Sequence, residues 1–431
     1  MKRFVVACPR NSRTGGPEAL HQLAAGLSSA QVDAYLWDPY YDGSPIEGNR
    51  YFGQYKVQWT DTAPTAEDVL VVPEVMGELI PRFYGECQCV FWWLSIDNFF
   101  KSNKYPIETL IQIFPQVIHV AQSRYAQDFL RSQGIEEVLM LTDYINQEFI
   151  AKHQEHSSLS IKPKRDFDVA VNTAKGFDRA SKVMTACRDL TFVLLENMSR
   201  EEVISSLSRS RIYLDLGEHP GTDRIPREAA LLGCVVVTNR RGSAGNQIDI
   251  AIDGDLFKHS DEEFGFEVSV QQALMKILSS LENAKSKQEN YVAWIIEANA
   301  RFEKEAMTLV SKIQDSNYLI SDFEKDIANA IDLAYRDRVR LSIEHNVLSV
   351  ERDQLTADRD RIFQERNELV VERDQLIADR DRIFHEHNVL SVERDQLTNE
   401  LSAIKTSILW KFTYPVQVIG QLIKKISRIA R

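Results

Sequence analysis

Residues 219–239 read HPGTDRIPREAALLGCVVVTN. Acids, bases and two prolines lead into a short run of alanine and leucine, and then into a β-branched run. Pro226 suits the first turn of a helix, where its missing N–H has no partner to lose. Glu228 to Gly233 continue that helix, and Ala229–Leu232 pack it tightly on a sheet. Cys234–Thr238 is the strand that follows, and Ile212–Leu216 the strand before. The stretch is thus a strand–helix–strand unit of a parallel sheet. Its charges sit at the helix mouth, beyond a strand's carboxyl end, where such sheets bind ligands.

The same rhythm recurs on both sides. Upstream, Asp168–Val171 and Phe192–Leu195 complete the strands of one domain. Further upstream lie Phe4–Cys8, a helix from about Pro17 to Ser29, Val32–Trp37, Val69–Val72, Val90–Leu94 and Val117–Ala121. The sequence therefore predicts an α/β protein with two Rossmann-like domains. Their expected limits are 1–150 and 167–285, joined by a polar linker over 151–166. A helical region is expected over 286–340.

Beyond it the chain repeats itself. NVLSVERDQLTADRDRIFQER (346–366) is followed by NELVVERDQLIADRDRIFHEH (367–387), and a third copy starts at Asn388. Leu341, Leu348, Leu355, Ile362, Leu369 and Leu376 begin an apolar column that continues every seventh residue to Ile404. That is a coiled-coil seam, although arginines such as Arg352, Arg359 and Arg366 occupy its partner positions. The expectation is a long helix over 341–404, about 95 Å at 1.5 Å per residue, forming a weak parallel homo-oligomer. The tail 405–431 is basic and amphipathic. It carries Trp410, Phe412 and Tyr414 before Pro415, and lysines beside an apolar stripe. Such a tail suits the surface of an anionic membrane.

Composition narrows the function. The net charge of −12 over 431 residues argues against nucleic acid as the main partner. No apolar run reaches the roughly 18 residues a membrane span needs, and MKRFVVACPR breaks too early for a signal peptide. The five cysteines lie in or beside apolar runs and read as reduced core residues of a cytoplasmic protein. No metal site is expected: Cys87-Gln-Cys89 lacks a second pair of ligands.

Three segments carry chemistry. RTGGPE (13–18) follows the first strand, and Gly15 and Gly16 let backbone amides approach an anion at a helix N-terminus. NTAKG (172–176) ends another strand and places Lys175 where a phosphate would lie. In the opening stretch, Glu228 projects from the first helical turn and can accept two hydrogen bonds from a ribose diol. Together they suggest a seat for a nucleoside diphosphate.

These residues resemble the GT-B glycosyltransferases, and among them the retaining "group 1" (family 4) enzymes. The resemblance covers about residues 1–300 and rests on the order and spacing of TGGPEALHQLAAGL, NTAKG and HPGTDRIPREAALLGC. Gln122–Tyr125 and Asp143–Asn146 fall where that family has further motif segments. The resemblance implies sugar transfer from a nucleotide diphosphate sugar with retention, without a cofactor or metal. It implies donor contacts from Gly15, Gly16, Lys175, Gly176 and Glu228, with His219, Asp223, Arg224 and Arg227 of the HPGTDRIPRE loop as substitutes where the family pattern is lost. Lys175 and Glu228 also join Asp97 as the catalytic candidates. Where the family has an arginine and a second glutamate, this chain has Ala170 and Pro220; Arg224 is the expected substitute cation. Trp92 and Trp93 are either sugar-stacking or core residues. The tail TSILWKFTYPVQ (406–417) resembles one that follows coiled coils in bacterial surface-glycan transferases. A surface polysaccharide or lipid-linked glycan is the implied acceptor, at the inner face of the cell membrane. The alternatives are an inactive glycan-binding scaffold that recruits partners through the coiled coil, and a nucleotide-sugar epimerase or hydrolase.

Overall fold

The structure is a computed structural model that describes residues 2–43, 52–102, 106–158, 164–252, 254–260, 265–316, 318–406 and 416–429. Residues 1–337 form one compact unit and 338–431 a second.

The first unit holds two all-parallel sheets. One runs β3-β2-β1-β4-β5-β6-β7, from Arg3–Ala7 (β1), Ala34–Trp37 (β2), Trp59–Thr60 (β3), Asp68–Pro73 (β4), Gln88–Trp93 (β5), Ile118–Ala121 (β6) and Val138–Met140 (β7). The other runs β12-β11-β10-β8-β9, from Phe167–Asn172 (β8), Phe192–Leu195 (β9), Ser210–Asp215 (β10), Val235–Asn239 (β11) and Lys258–His259 (β12). Every strand pair is parallel, with β1 Phe4 against Val69 of β4 and β10 Ile212 against Val169 of β8. The strands are mostly apolar, without regular alternation, because helices cover both faces. Along β1, Val5 and Ala7 enter one core while Phe4, Val6 and Cys8 enter the other.

The α/β reading, with two parallel sheets, matches this architecture. Three short strands were not anticipated: β3, β7 and β12 are two or three residues long, too short for a period-2 pattern. The segment read as a linker starts inside a helix, Gln147–Ser158. Ile145, Phe149 and Ile150 belong to the second sheet's core, so the chain has crossed over before residue 151. It crosses back later. Phe302, Ala306, Leu309, Val310 and Ile313, from the helix Ala298–Asp315, pack in the first sheet's core. All five cysteines are free and buried, as expected.

A helix runs from Asp322 to Thr406 and carries the 21-residue repeats. In the second unit its apolar column is open to solvent; Leu355 and Leu369 are 69% and 64% exposed. A further helix spans Val416–Ile429; Trp410, Phe412 and Tyr414 lie outside the described residues. No described helix is long and apolar enough to cross a membrane.

Candidate functional site

Each sheet reverses its strand order once, between β1 and β4 in the first and between β8 and β10 in the second. A crevice opens beyond the strand ends at such points. Four segments reach these crevices: Pro9–Gly16 after β1, Glu74 after β4, Thr173–Gly176 after β8 and Leu216–Asp223 after β10. The sheets face each other here. A Cβ on Gly221 would lie 2.4 Å from the Leu94 carbonyl oxygen and 2.7 Å from the Gln122 amide oxygen. Only a glycine lets the second-sheet loop lie this close to the first sheet.

Asp143 ties the two halves together. Its carboxylate takes Arg227 Nη2 at 2.8 and 3.0 Å and the Thr222 hydroxyl at 3.0 Å. Asp249 accepts from the amides of Arg124 and Tyr125 at 2.7 and 2.9 Å, at the start of the helix Arg124–Ser132. Both carboxylates are buried and hydrogen-bonded, as buried charges must be.

Two cavities open in the cleft. One, of about 420 Å³, is lined by Gly15, Gly16, Glu74, Ser95, Asn98 and Asp223 among others. The other, of about 770 Å³, is lined by Glu18, Met198, Ser199, Arg200, Val203 and Glu228 among others. Thr14, Gly15 and Arg224 line both. The helix Arg224–Leu231 therefore points its N-terminus at the junction.

Arg224 is the hinge of this arrangement. Its guanidinium lies 2.7 Å from Glu18 and 2.9 Å from Asp143. Yet none of its three buried nitrogens makes a properly angled hydrogen bond. Burial disfavours the cation, but Asp143 and Glu18 outweigh burial and hold it firmly protonated. Glu18 and Asp143 hold the guanidinium as ion pairs, so a ligand anion would compete with these two carboxylates for it. A Cβ on Gly15 would lie 3.2 Å from Arg224 Nε, so the glycine gives the side chain its room.

Lys175 stands on the other side of the same mouth. Its ammonium contacts the Asp223 carboxylate, donates to the Glu218 carbonyl at 2.7 Å and lies 3.9 Å from Asp215. Its stem lies across Gly217, where a Cβ would meet Lys175 Cγ at 2.4 Å. Gly176 has φ +66°, and a Cβ there would sit 2.3 Å from the Leu216 carbonyl oxygen. It shapes the turn that aims Lys175. Against the burial that raises it, His219 and Lys175 hold the Asp223 carboxyl below its ordinary value. His219 is buried behind this pair, with Nδ1 2.7 Å from Asp223. Asp215, His219 and Asp223 bring ligand atoms within 4.8 Å of one another, and the Lys175 ammonium lies against both carboxylates.

Glu228 lines the larger cavity. Burial raises its carboxyl, opposed by Arg200 and Arg224, and Arg200 Nη2 lies 3.6 Å away. Asp97, in the first turn of the helix Ile96–Ser102, stands beside the smaller cavity, which its neighbours Ser95 and Asn98 line. Burial raises its carboxyl, Lys101 opposes this, and Glu218 and Asp223 add to it.

The structure thus sets Gly15, Gly16, Asp223, Arg224 and Glu228 along the two adjoining cavities, with Lys175 against Asp223. It sets Gly176 and His219 behind that pair. Trp92 and Trp93 are no sugar platforms: both are fully buried core residues. Their indoles donate to the Leu141 carbonyl at 3.0 Å and to His119 Nδ1 at 3.1 Å. Sequence reading missed Glu18, Arg200 and Glu74. Glu18 alone carried a signal, as an acid beside the Gly15-Gly16 turn; the other two are brought in by tertiary packing. Glu74 is fully buried, accepts from the Leu94 amide at 3.0 Å, and burial pushes its carboxyl up to about 8.

No family model and no curated protein matches the sequence. Solved structures are similar in backbone. One is a glycosyltransferase from Rickettsia africae, 11% identical, covering 71% of this chain and 99% of that one with a TM-score of 0.48. Another is the pneumococcal O-GlcNAc transferase GtfA, solved with UDP and GlcNAc, 10% identical, covering 73% and 100% with a TM-score of 0.48. A third is the catalytic domain of starch synthase IV from Arabidopsis thaliana, bound to ADP and acarbose, 10% identical, covering 70% and 99% with a TM-score of 0.43. Likeness at this level concerns the path of the chain alone.

Proposed function

We propose that the cleft binds a nucleotide diphosphate sugar and transfers its sugar to a glycan acceptor. The observation that carries this reading is Arg224, a buried cation that lines both cavities where they meet. In this reading the nucleoside occupies the larger cavity, with its ribose diol on Glu228. The diphosphate lies at the junction on Arg224, the Gly15–Gly16 amides and Lys175. The sugar and acceptor occupy the smaller cavity beside Asp97.

Transfer breaks the bond between the sugar's anomeric carbon and the diphosphate oxygen, and makes one to an acceptor hydroxyl oxygen. The leaving diphosphate takes the electron pair. Arg224, Lys175 and the helix N-terminus stabilise the charge that develops on it, the largest electrostatic demand of the step. The acceptor proton passes to Asp97 or to the departing phosphate. The cations serve that charge without requiring a metal. Retention at the anomeric carbon belongs to the same reading through the family resemblance. So does a surface polysaccharide or lipid-linked acceptor, which the basic tail over 407–431 would meet at an anionic membrane face.

The test is NMR of donor sugars with and without glycan acceptors, after a thermal-shift panel of UDP, GDP, ADP and CMP has found the base. Acceptor-dependent loss of donor with a new glycosidic anomeric signal supports transfer. Epimerised or hydrolysed donor without acceptor contradicts it, and no nucleotide binding at all points to the scaffold reading.

A further inference from the structure

The long helix carries a charge pattern that the sugar-transfer reading does not use. Three residues after each member of the apolar column stands an acid: Glu344, Glu351, Asp358, Glu365, Glu372 and Asp379, continuing to Glu400. Four residues after stands a base: Arg352, Arg359, Arg366, Arg373 and Arg380, then Arg394, with His345 and His387 in the same column. At 3.5 residues per turn these positions lie about 50° to either side of the apolar column. The helix thus shows one apolar stripe between an acidic flank and a basic flank.

These groups face solvent. Leu348 and Leu376 are 63% and 62% exposed, and among the described residues the arginines pair within their own helix, as Arg352 with Asp353 at 2.7 Å and Arg373 with Asp374 at 2.6 Å. A shallow groove between Leu369 and Leu376 is walled by Glu372 on one side and by Arg373 and Arg380 on the other. It has the composition of a hole that receives an apolar knob.

We propose that a second copy of this chain packs along this stripe, parallel and in register. Orientation follows from the two flanks. When two identical helices face each other in the same direction, the left flank of one meets the right flank of the other, so acids meet arginines along the whole seam. When one helix is reversed, left meets left, and acids meet acids. Register follows from closure. A two-fold parallel pair has zero stagger, whereas a shift by one or more heptads leaves unpaired ends and opens the assembly. With one apolar residue per heptad, the charges choose the arrangement and the pair is weak and salt-sensitive.

The test uses the full chain, whose native cysteines are all buried. Single Leu348→Cys and Leu369→Cys variants are oxidised alone, and Leu348→Cys is mixed with Leu397→Cys, its counterpart in a reversed pair. The expected result is self-crosslinking of each single variant in excess over the mixed product. Sedimentation should show association that weakens at 1 M salt. A variant with Arg352, Arg359, Arg366, Arg373 and Arg380 all changed to Glu should associate at least tenfold more weakly with itself. It should recover when mixed with a chain whose Glu351, Asp358, Glu365, Glu372 and Asp379 are changed to Arg. A crosslink confined to the mixed pair overturns the proposal. So do a monomer at all concentrations up to the millimolar range, and undiminished self-association of the all-Glu variant.

Discussion

Replacing Arg224 with Met separates what this side chain does for the fold from what it does for a ligand. The change removes the cation from Glu18 at 2.7 Å and from Asp143 at 2.9 Å. Breaking a buried pair from one side costs about 3–5 kcal/mol, because the other charge stays buried. Here the loss falls near the lower end. Asp143 keeps Arg227 and the Thr222 hydroxyl, and Glu18 keeps the Tyr55 hydroxyl at 2.8 Å. The compact unit spans residues 1–337; at about 2.1 cal/mol/K per residue each kcal/mol shifts the melting temperature by roughly 1.4 °C, so it should fall by about 4 °C. Neutralising the stranded acid as well, in Arg224→Met with Glu18→Gln, should recover most of that loss. Nucleotide affinity should not recover. A hydrogen bond from a cation to an anion is worth about 1.5–3 kcal/mol, so nucleoside diphosphates should bind the double variant about 10- to 150-fold more weakly. Calorimetric titration with UDP, GDP and ADP, beside thermal melts, reads both effects. A double variant that melts like the parent and binds diphosphate like the parent would refute the role given to Arg224.

Three further outcomes follow from the same geometry. Gly221→Ala puts a methyl group against the Leu94 carbonyl oxygen; the two sheets must part locally, and donor turnover should fall at least tenfold while far-ultraviolet circular dichroism stays unchanged. Glu228→Gln should weaken a nucleoside diphosphate and its parent nucleoside by similar factors, since Glu228 is assigned to the ribose; a loss confined to the diphosphate would contradict that assignment. Glu74 titrates near 8 when folded and near 4.5 when unfolded, so its protonated form stabilises the fold fully below pH 4.5, and that contribution is lost as pH rises to 8. Melts of Glu74→Gln should therefore gain on the parent steadily between pH 5 and pH 8, and parallel curves would show that the carboxyl is ionised throughout.

The α/β architecture was legible because most of the longer strands hold three to five contiguous apolar residues, the longest of them at β4 and β5. Strand ends were legible too, and with them Gly15, Lys175 and Glu228, which stand at fixed offsets from those ends. What stayed hidden depends on contacts far apart in sequence. Arg227 meets Asp143 across 84 positions, and no local pattern announces that pairing. The crossings at Gln147–Ser158 and Ala298–Asp315 were invisible for the same reason: an amphipathic helix shows which face is apolar, not which sheet it covers. Trp92 and Trp93 mislead for a related reason. In a strand covered on both faces, side chains of either parity are buried, so alternation cannot tell a cleft residue from a core one.

The most direct measurement is a structure of the chain soaked with the nucleoside diphosphate that stabilises it most. The account predicts the phosphates at the junction, within hydrogen-bond reach of Arg224 and the Gly15–Gly16 amides, and the ribose on Glu228. A nucleotide lodged elsewhere, or phosphates that leave Arg224 on Glu18 and Asp143 while bound away from the helix mouth, would contradict it.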